Sequence, residues 1–490
     1  MQNNNKTDNS KNPAKYNGGP PSPAYELLYA DEFDGTAINT DDWVFRTGER
    51  TGGLNLEKNS RLENGKLVID FKKEIINGKE EYTCGGIISK NLFGYGYYEV
   101  KSKLFGATGG FHSSFWIAGM NNFGDGVNSP KYNQIIEIDG YEVDSHQPEI
   151  VAANVHYYIG THTSIGGYAY REIDTSKDYV IHGFEWLPNK IIWYINGIVF
   201  RVLEDPEFYG PQNFWLTGLA FLTYHGDKID DSKLPGYSSW EYFRYYARDL
   251  VGVNLLGNSS FEYNINKSFE DQFKINPHIP VAWIVSGDVD ANTVIETTYS
   301  YDGDCLLRHA KNSAYRVETK QNLQFIKNGL YTLTAMVRSS GGQKEAKMII
   351  RADGSPQRYV NIPKTGTKWA KVIIDDIEIK ENKCTIAFLS DAEAGQWLEI
   401  DDVVFSMKSS STGLANISFK RKQKIKKHEY PAQILLNTFD ENNYFEKGAW
   451  VKSELKGYNS SSRYSNDLNA SAEWRVNIPL PSNYKVFFYN

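Results

Sequence analysis

The chain has 490 residues, enough for about three domains at roughly 150 residues each, so core size does not limit its stability. A formal net charge of −7 over that length leaves no concentrated basic surface for non-specific nucleic-acid binding. No window approaches about 18 consecutive apolar residues, so no membrane insertion is expected, and Cys84, Cys305 and Cys384 lack the number and spacing of a disulfide framework or a cysteine metal site.

Residues 1–24, opening "MQNNNKTDNS", lack the apolar stretch of a secretory signal and read as a polar tether. Such a tether often follows a signal or lipid anchor, so an extracellular or cell-surface location in a bacterium is expected. From 25 to 250, strand signals dominate: "NGKLVIDF", "GYYEVKSKLF", "IIWYINGIVFRV" and "YFRYYARDL" are rich in β-branched and aromatic residues. Asn64-Gly65 and Asn196-Gly197 are hairpin signals, and no long 3.6-residue apolar period competes. An all-β chain with an antiparallel sandwich over 25–250 follows.

A second β-sandwich is expected over 253–408, with strands such as "NGLYTLTAMVRSS", "AKMIIRA" and "WAKVIIDDIEI". Residues 409–428 read as a basic linker whose "KRKQKIKK" is a solvated spacer. Residues 429–490 have strand character again and are expected to be part of a further β domain.

The stretch "QIIEIDGYEVDSH" (134–146) carries Glu137, Asp139 and Glu142 inside a run that otherwise reads as a buried strand. Residues two apart share a face of a strand, so Glu137 and Asp139 point the same way and Glu142 does not. One extra residue at Gly140-Tyr141, a β-bulge, restores Glu142 to that face, and glycine accepts the angles a bulge can demand. Like charges so close repel, so the set is expected to hold a proton near neutral pH. Retaining glycoside hydrolysis needs one ionised carboxylate as nucleophile and one carboxylic acid as proton donor, about 5 to 5.5 Å apart. The bland alternative is a row of acids on a solvent-facing edge, but "IIEID" is apolar at alternate positions and the flanks hold aromatics rather than lysine partners.

"EIDGYE" resembles the catalytic signature of glycoside hydrolase family 16, the laminarinases, lichenases, agarases and carrageenases. The resemblance runs over about 25–250 through "YADEFDG", "NSRLENGKLVI", "GGIISKNLFGYGYYEVKSKL", "FHSSFW" and "IHGFEWLPNKIIWYINGIVFRV". It implies a concanavalin-like β-jelly roll with a concave cleft, Glu137 as nucleophile, Asp139 as helper and Glu142 as acid/base. It implies no cofactor for catalysis, and a structural calcium on the convex face with Glu32, the Gly65 carbonyl and Glu241 as ligands. Trp116, His156 and Asn59 are the candidate sugar contacts, each with a structural alternative (core filler, structural histidine, turn former), and His182 is expected in the core. Residues 253–408 resemble carbohydrate-binding modules, with Trp283, Trp369 and Trp397 as candidate sugar-facing rings, and 429–490 resemble part of a golvesin-type domain. The expected function is a monomeric, exported, retaining endo-β-glycanase acting on internal β-1,3 or β-1,4 bonds of a polysaccharide. The substrate stays open between β-glucan and marine galactan, and a non-catalytic lectin-like binder and a transglycosylase remain the alternatives.

Overall fold

The computed structural model describes residues 16–119, 134–166, 168–263 and 278–410, together with four short strands at 444–447, 451–452, 463–464 and 471–474. The far tether (1–15), nearly all of the basic linker and most of 429–490 lie outside the described residues.

Two large sheets build the first sandwich. The inner sheet, antiparallel throughout, runs in the order Thr163–Ser164, Val151–Tyr157, Ile136–Asp144, Phe111–Ala118, Gln212–Ala220, Gly86–Phe93 and Trp43–Phe45, with Tyr168–Tyr170 beside Val151–Tyr157. The outer sheet centres on the long strand Gly236–Arg248, flanked by Gly96–Lys103 and Leu67–Ile76. Between them lies a core rich in rings, including Trp43, Phe115, Tyr141, Trp186, Trp193 and Trp240, all at most 1% exposed. Both hairpin signals are realised: Asn64 and Gly65 have φ of 53° and 68°, Asn196 and Gly197 46° and 77°, the left-handed pair that joins twisted strands without splaying them.

The near end of the tether is not a free tail. The Tyr16 hydroxyl donates to the Gly19 carbonyl (2.6 Å), Gly19 N–H donates to Glu99 Oε2 (2.8 Å), and the Tyr16 ring fills the space a Cβ on Gly197 would take. A carboxylate in the outer sheet thus anchors 16–19 through a charge-assisted bond.

The second sandwich stacks two five-stranded sheets. One is ordered Ile284–Gly287, Tyr315–Leu323, Cys384–Ala392, Glu345–Ala352, Arg358–Asn361, and the other Asn292–Glu296, Cys305–Ala310, Trp397–Ser410, Gly329–Ser339, Ala370–Ile379. Trp283 is fully buried among Phe261, Phe388 and their neighbours, so it packs the core and does not face sugar. Trp369 and Trp397 are half-buried at the surface.

The two sandwiches, read as separate from the sequence, form one compact unit within residues 1–421. Val251 bridges Met407, Asn254 bridges Ser406, and Phe325 of the second sandwich stacks on Phe93 of the first at 4.8 Å and 7°. Gln324 ties the same seam by accepting from Leu92 N–H (3.0 Å) and donating to Asn91 Oδ1 (3.0 Å), and Lys327 pairs with Glu26. The remaining unit, 422–490, is described only as two short antiparallel pairs, Tyr444–Lys447 with Ser471–Trp474 and Val451–Lys452 with Arg463–Tyr464.

Candidate active site

The acidic strand Ile136–Asp144 is central in the inner sheet, and its register slips by one residue on both sides. Against Phe111–Ala118, Asp139 faces Trp116 and Tyr141 faces Phe115, which leaves Gly140 unmatched; against Val151–Tyr157, Asp139 faces Asn154 and Glu142 faces Ala152. The bulge expected at Gly140-Tyr141 is present, and it changes the phase of the strand. Ile136 and Ile138 enter the core before it, Tyr141 and Val143 after it, each at most 1% exposed. Glu137, Asp139, Glu142 and also Asp144 are therefore left on the cleft face.

Glycine is needed here for space rather than for angles. Gly140 is absent from the positive-φ residues, but a Cβ on it would lie 2.4 Å from Phe115 Cε1. The residue after the bulge is pinned: the Tyr141 hydroxyl donates to Ser102 Oγ (3.2 Å) and accepts from Trp240 Nε1 (2.9 Å), while Trp193 Nε1 donates to the Asp139 carbonyl (2.7 Å).

Register puts the neighbours of the acids on the same face. His112, Ser114 and Trp116 lie across from Asp144, Glu142 and Asp139, and Asn154 and His156 lie across from Asp139 and Glu137. Trp116 is half-buried, stacks on Trp215 at 4.5 Å, and donates from Nε1 to Thr217 Oγ1 (3.1 Å), which leaves it partly open to the cleft. The Arg46 guanidinium lies 5.6 Å from the Trp116 centroid and 5.4 Å from that of Trp215. His156 Nε2 stands 3.9 Å from Glu137 Oε1 and 3.7 Å from Asp139 Oδ2, held by the Asn154 amide nitrogen (2.8 Å) and by His162 (3.1 Å).

The electrostatics divide the trio. Burial raises Glu137 to about 7, against the Tyr158 hydroxyl that donates to its Oε2 (2.7 Å). Burial, and then the charges of Glu142 and Glu137, push Asp139 well above the carboxylate range; its Oδ2 is shielded and has no hydrogen-bond partner, which favours the neutral acid. Burial would raise Glu142 as well, but His112, whose Nε2 lies 3.5 Å from Oε1, lowers it. Burial would lower His112, yet Asp144 at 2.9 Å and Glu142 outweigh it and raise it to about 9.

Two sequence-based assignments fail. Asn59 is fully buried in a short 3-10 turn, where its amide donates to Thr83 Oγ1 (2.9 Å) and its Oδ1 accepts from Lys72 (3.1 Å), so it cannot meet a sugar. The calcium set does not fit either: Glu32 makes a two-point bridge with Arg244 (2.7 and 2.8 Å) and Glu241 pairs with Lys101 at 2.6 Å, so both carboxylates are already neutralised by the chain. His182 lies in the core as expected, fully buried against Tyr141. The sequence reading missed His112, Ser114 and Asn154, although counting by twos back from Trp116 and His156 reaches them. It also missed Arg46 and Tyr158; Arg46 belongs to the segment that follows the opposite edge strand of the sheet, which no local pattern links to the acids.

A family model described as glycosyl hydrolases family 16 matches residues 49–232. A β-glucanase of Acetivibrio thermocellus is 26% identical over 243 residues, covering 47% of this chain and 64% of that protein, and a β-glucanase of Rhodothermus marinus is 24% identical over 208 residues, covering 40% and 71%. The X-ray structure of the laminarinase from Rhodothermus marinus aligns with a TM-score of 0.40 at 21% identity, covering 46% of this chain and 98% of that one. This chain thus spans somewhat under two thirds of the first relative's length, and its residues 49–232 are a glycosyl hydrolases family 16 domain.

Proposed function

We propose that residues 25–250 hydrolyse internal β-1,3 or β-1,4 bonds of a polysaccharide with retention of configuration. Glu137 attacks the anomeric carbon, and Glu142 protonates the leaving oxygen and then deprotonates the water that frees the sugar. Asp139, held well above the carboxylate range beside Glu137, would donate to it as its charge develops and so steady that charge. Trp116 offers a ring to a sugar face, and His156 a nitrogen to a hydroxyl. The observation that most supports this reading is the one-residue slip that leaves three carboxylates on one open face.

In the free site Glu137 is raised and Glu142 lowered, the reverse of what the first step needs. Sugar binding supplies the reversal. Glu137 loses its proton to solvent before attack, the positive charge growing at the anomeric carbon then stabilises its carboxylate, and exclusion of water favours neutral Glu142, which takes a proton from the adjoining His112. The relatives' names, β-glucanase and glucan endo-1,3-β-glucosidase, favour a β-glucan over a galactan. Tyr299 and Tyr301, 46% and 50% exposed, with Trp369 beside them, support sugar contact by the second sandwich, which would hold the hydrolase near its polymer. An extracellular or cell-surface site of action fits a polymer substrate.

The test is incubation with laminarin, mixed-linkage glucan, agarose, porphyran and κ-carrageenan, with new reducing ends measured for the parent, E137Q and E142Q. We expect cleavage of a β-glucan and a loss of about two to four orders of magnitude in each variant. Near-parental rates in both variants would overturn the roles. Binding without product would point to a lectin, and products longer than the substrate to a transglycosylase.

A further inference from the structure

A second cluster of chemistry-bearing side chains lies at the far end of the acidic strand. Asp144 closes that strand on the cleft face, His146 follows two residues later in the turn, and His225 ends the short helix Leu222–His225. One ligand atom from each lies within 4.8 Å of the other two. His225 Nε2 is 3.3 Å from Asp144 Oδ2, and the rings of His146 and His225 are 4.4 Å apart between centroids.

The backbone builds this approach from three separate segments. Ser145 N–H donates to the Phe111 carbonyl (2.8 Å), Gln147 N–H to that of Asp144 (2.9 Å), and His225 N–H to that of Phe221 (2.9 Å). Gly109 and Gly110 lie beneath. A Cβ on Gly109 would stand 3.1 Å from His146 Cβ, and one on Gly110 would stand 3.2 Å from the His225 carbonyl and 2.1 Å from Ile229 Cγ1. The glycine pair lets the turn that carries His146 and the helix end that carries His225 close on each other.

As it stands the cluster is poorly satisfied. His146 Nδ1 is shielded from solvent and has no hydrogen-bond partner, which leaves its lone pair or N–H unmatched by any protein group. A divalent cation would accept lone pairs from two neutral imidazoles and one carboxylate oxygen, and leave positions for water. Two nitrogens and one oxygen suit Zn2+ and its first-row neighbours; Ca2+ wants six to eight oxygens. Asp144 Oδ1 already accepts from His112 Nδ1 at 2.9 Å, the outer partner that ligating side chains commonly have. The other grouping of ligand-type atoms among the described residues, Glu137, Asp139 and His156, is less suited, because both His156 nitrogens are engaged by Asn154 and His162.

We propose that Asp144, His146 and His225 form a binding site for a divalent transition cation of the Zn2+ type at the edge of the cleft. The site is independent of the hydrolytic assignment and is read by binding alone. The full, tag-free chain, stripped with chelator and dialysed, is titrated with ZnCl2 in a calorimeter, and the Co2+ form is followed by its visible absorption. One Zn2+ per chain is expected, unaffected by excess Ca2+, with affinity reduced at least about tenfold in H146A, H225A and D144N and retained in H156A. Circular dichroism checks that each variant is folded, and the conservative H146Q covers a failure of H146A. The proposal is overturned if the parent takes up no Zn2+, if folded H146A or H146Q and H225A bind as the parent does, or if H156A alone loses the ion.

Discussion

Among single residues, burial without a partner does not by itself separate those placed for chemistry from those that only fill space. Asp139 and His182 are both buried with unpartnered polar atoms, but Asp139 adjoins two carboxylates on the cleft face, whereas His182 sits in the core against Tyr141. Burial holds the His182 imidazole down at about 3, so it stays neutral in the folded protein while the unfolded chain takes up a proton below about 6.5. A base depressed in this way contributes stability that is intact above 6.5 and lost as pH falls toward 3. H182L should remove that dependence: in urea unfolding, the parent should lose about 2 kcal/mol more than the variant between pH 7 and pH 5. Parallel losses would show that His182 is protonated or solvated in the fold. Glu137 and Asp139 were legible in the sequence because strand alternation puts them on one face, and Glu142 became legible only with the bulge at Gly140-Tyr141. Asn59 was misread because a turn asparagine looks the same whether it faces solvent or, as here, closes a buried turn against Thr83 and Lys72.

At the scale of the element, the bulge is specified by packing. Position 140 admits no side chain because the Phe115 ring occupies that volume, and the tyrosine that follows is tied to Ser102 and Trp240. G140A should therefore force either the ring or the strand to move, at a cost of about 1–3 kcal/mol in thermal unfolding and with loss of hydrolysis. Adding F115L, which removes the obstructing ring atoms, should return part of both. If G140A is as stable and active as the parent, packing does not set the bulge. The sequence located the irregularity correctly but gave it a dihedral cause, because a glycine in a strand signals a special angle and a close approach equally well. The partner that decides between them, Phe115, is 25 residues away in the chain and only the sheet brings it near.

Across the whole molecule, the first sandwich supplies the cleft and the second is packed against its side. Phe93 and Phe325 stack across a seam that also holds Gln324 and the Lys327–Glu26 pair, so the two sandwiches belong to one compact unit where the sequence suggested two. Composition and turn signals mark where each sandwich starts and stops; they carry nothing about which surface rings meet across the boundary. The same limit explains Arg46, which enters the cleft from beyond the far edge of the inner sheet to lie over Trp116 and Trp215. What the molecule does with this architecture is read most directly from the first product of glucan cleavage, followed by proton NMR before mutarotation sets in. If the bulge places Glu142 to work with Glu137 by double displacement, the new reducing end appears first as the β anomer. Initial release of the α anomer would mean direct attack by water, and the assigned roles of the two glutamates would be wrong.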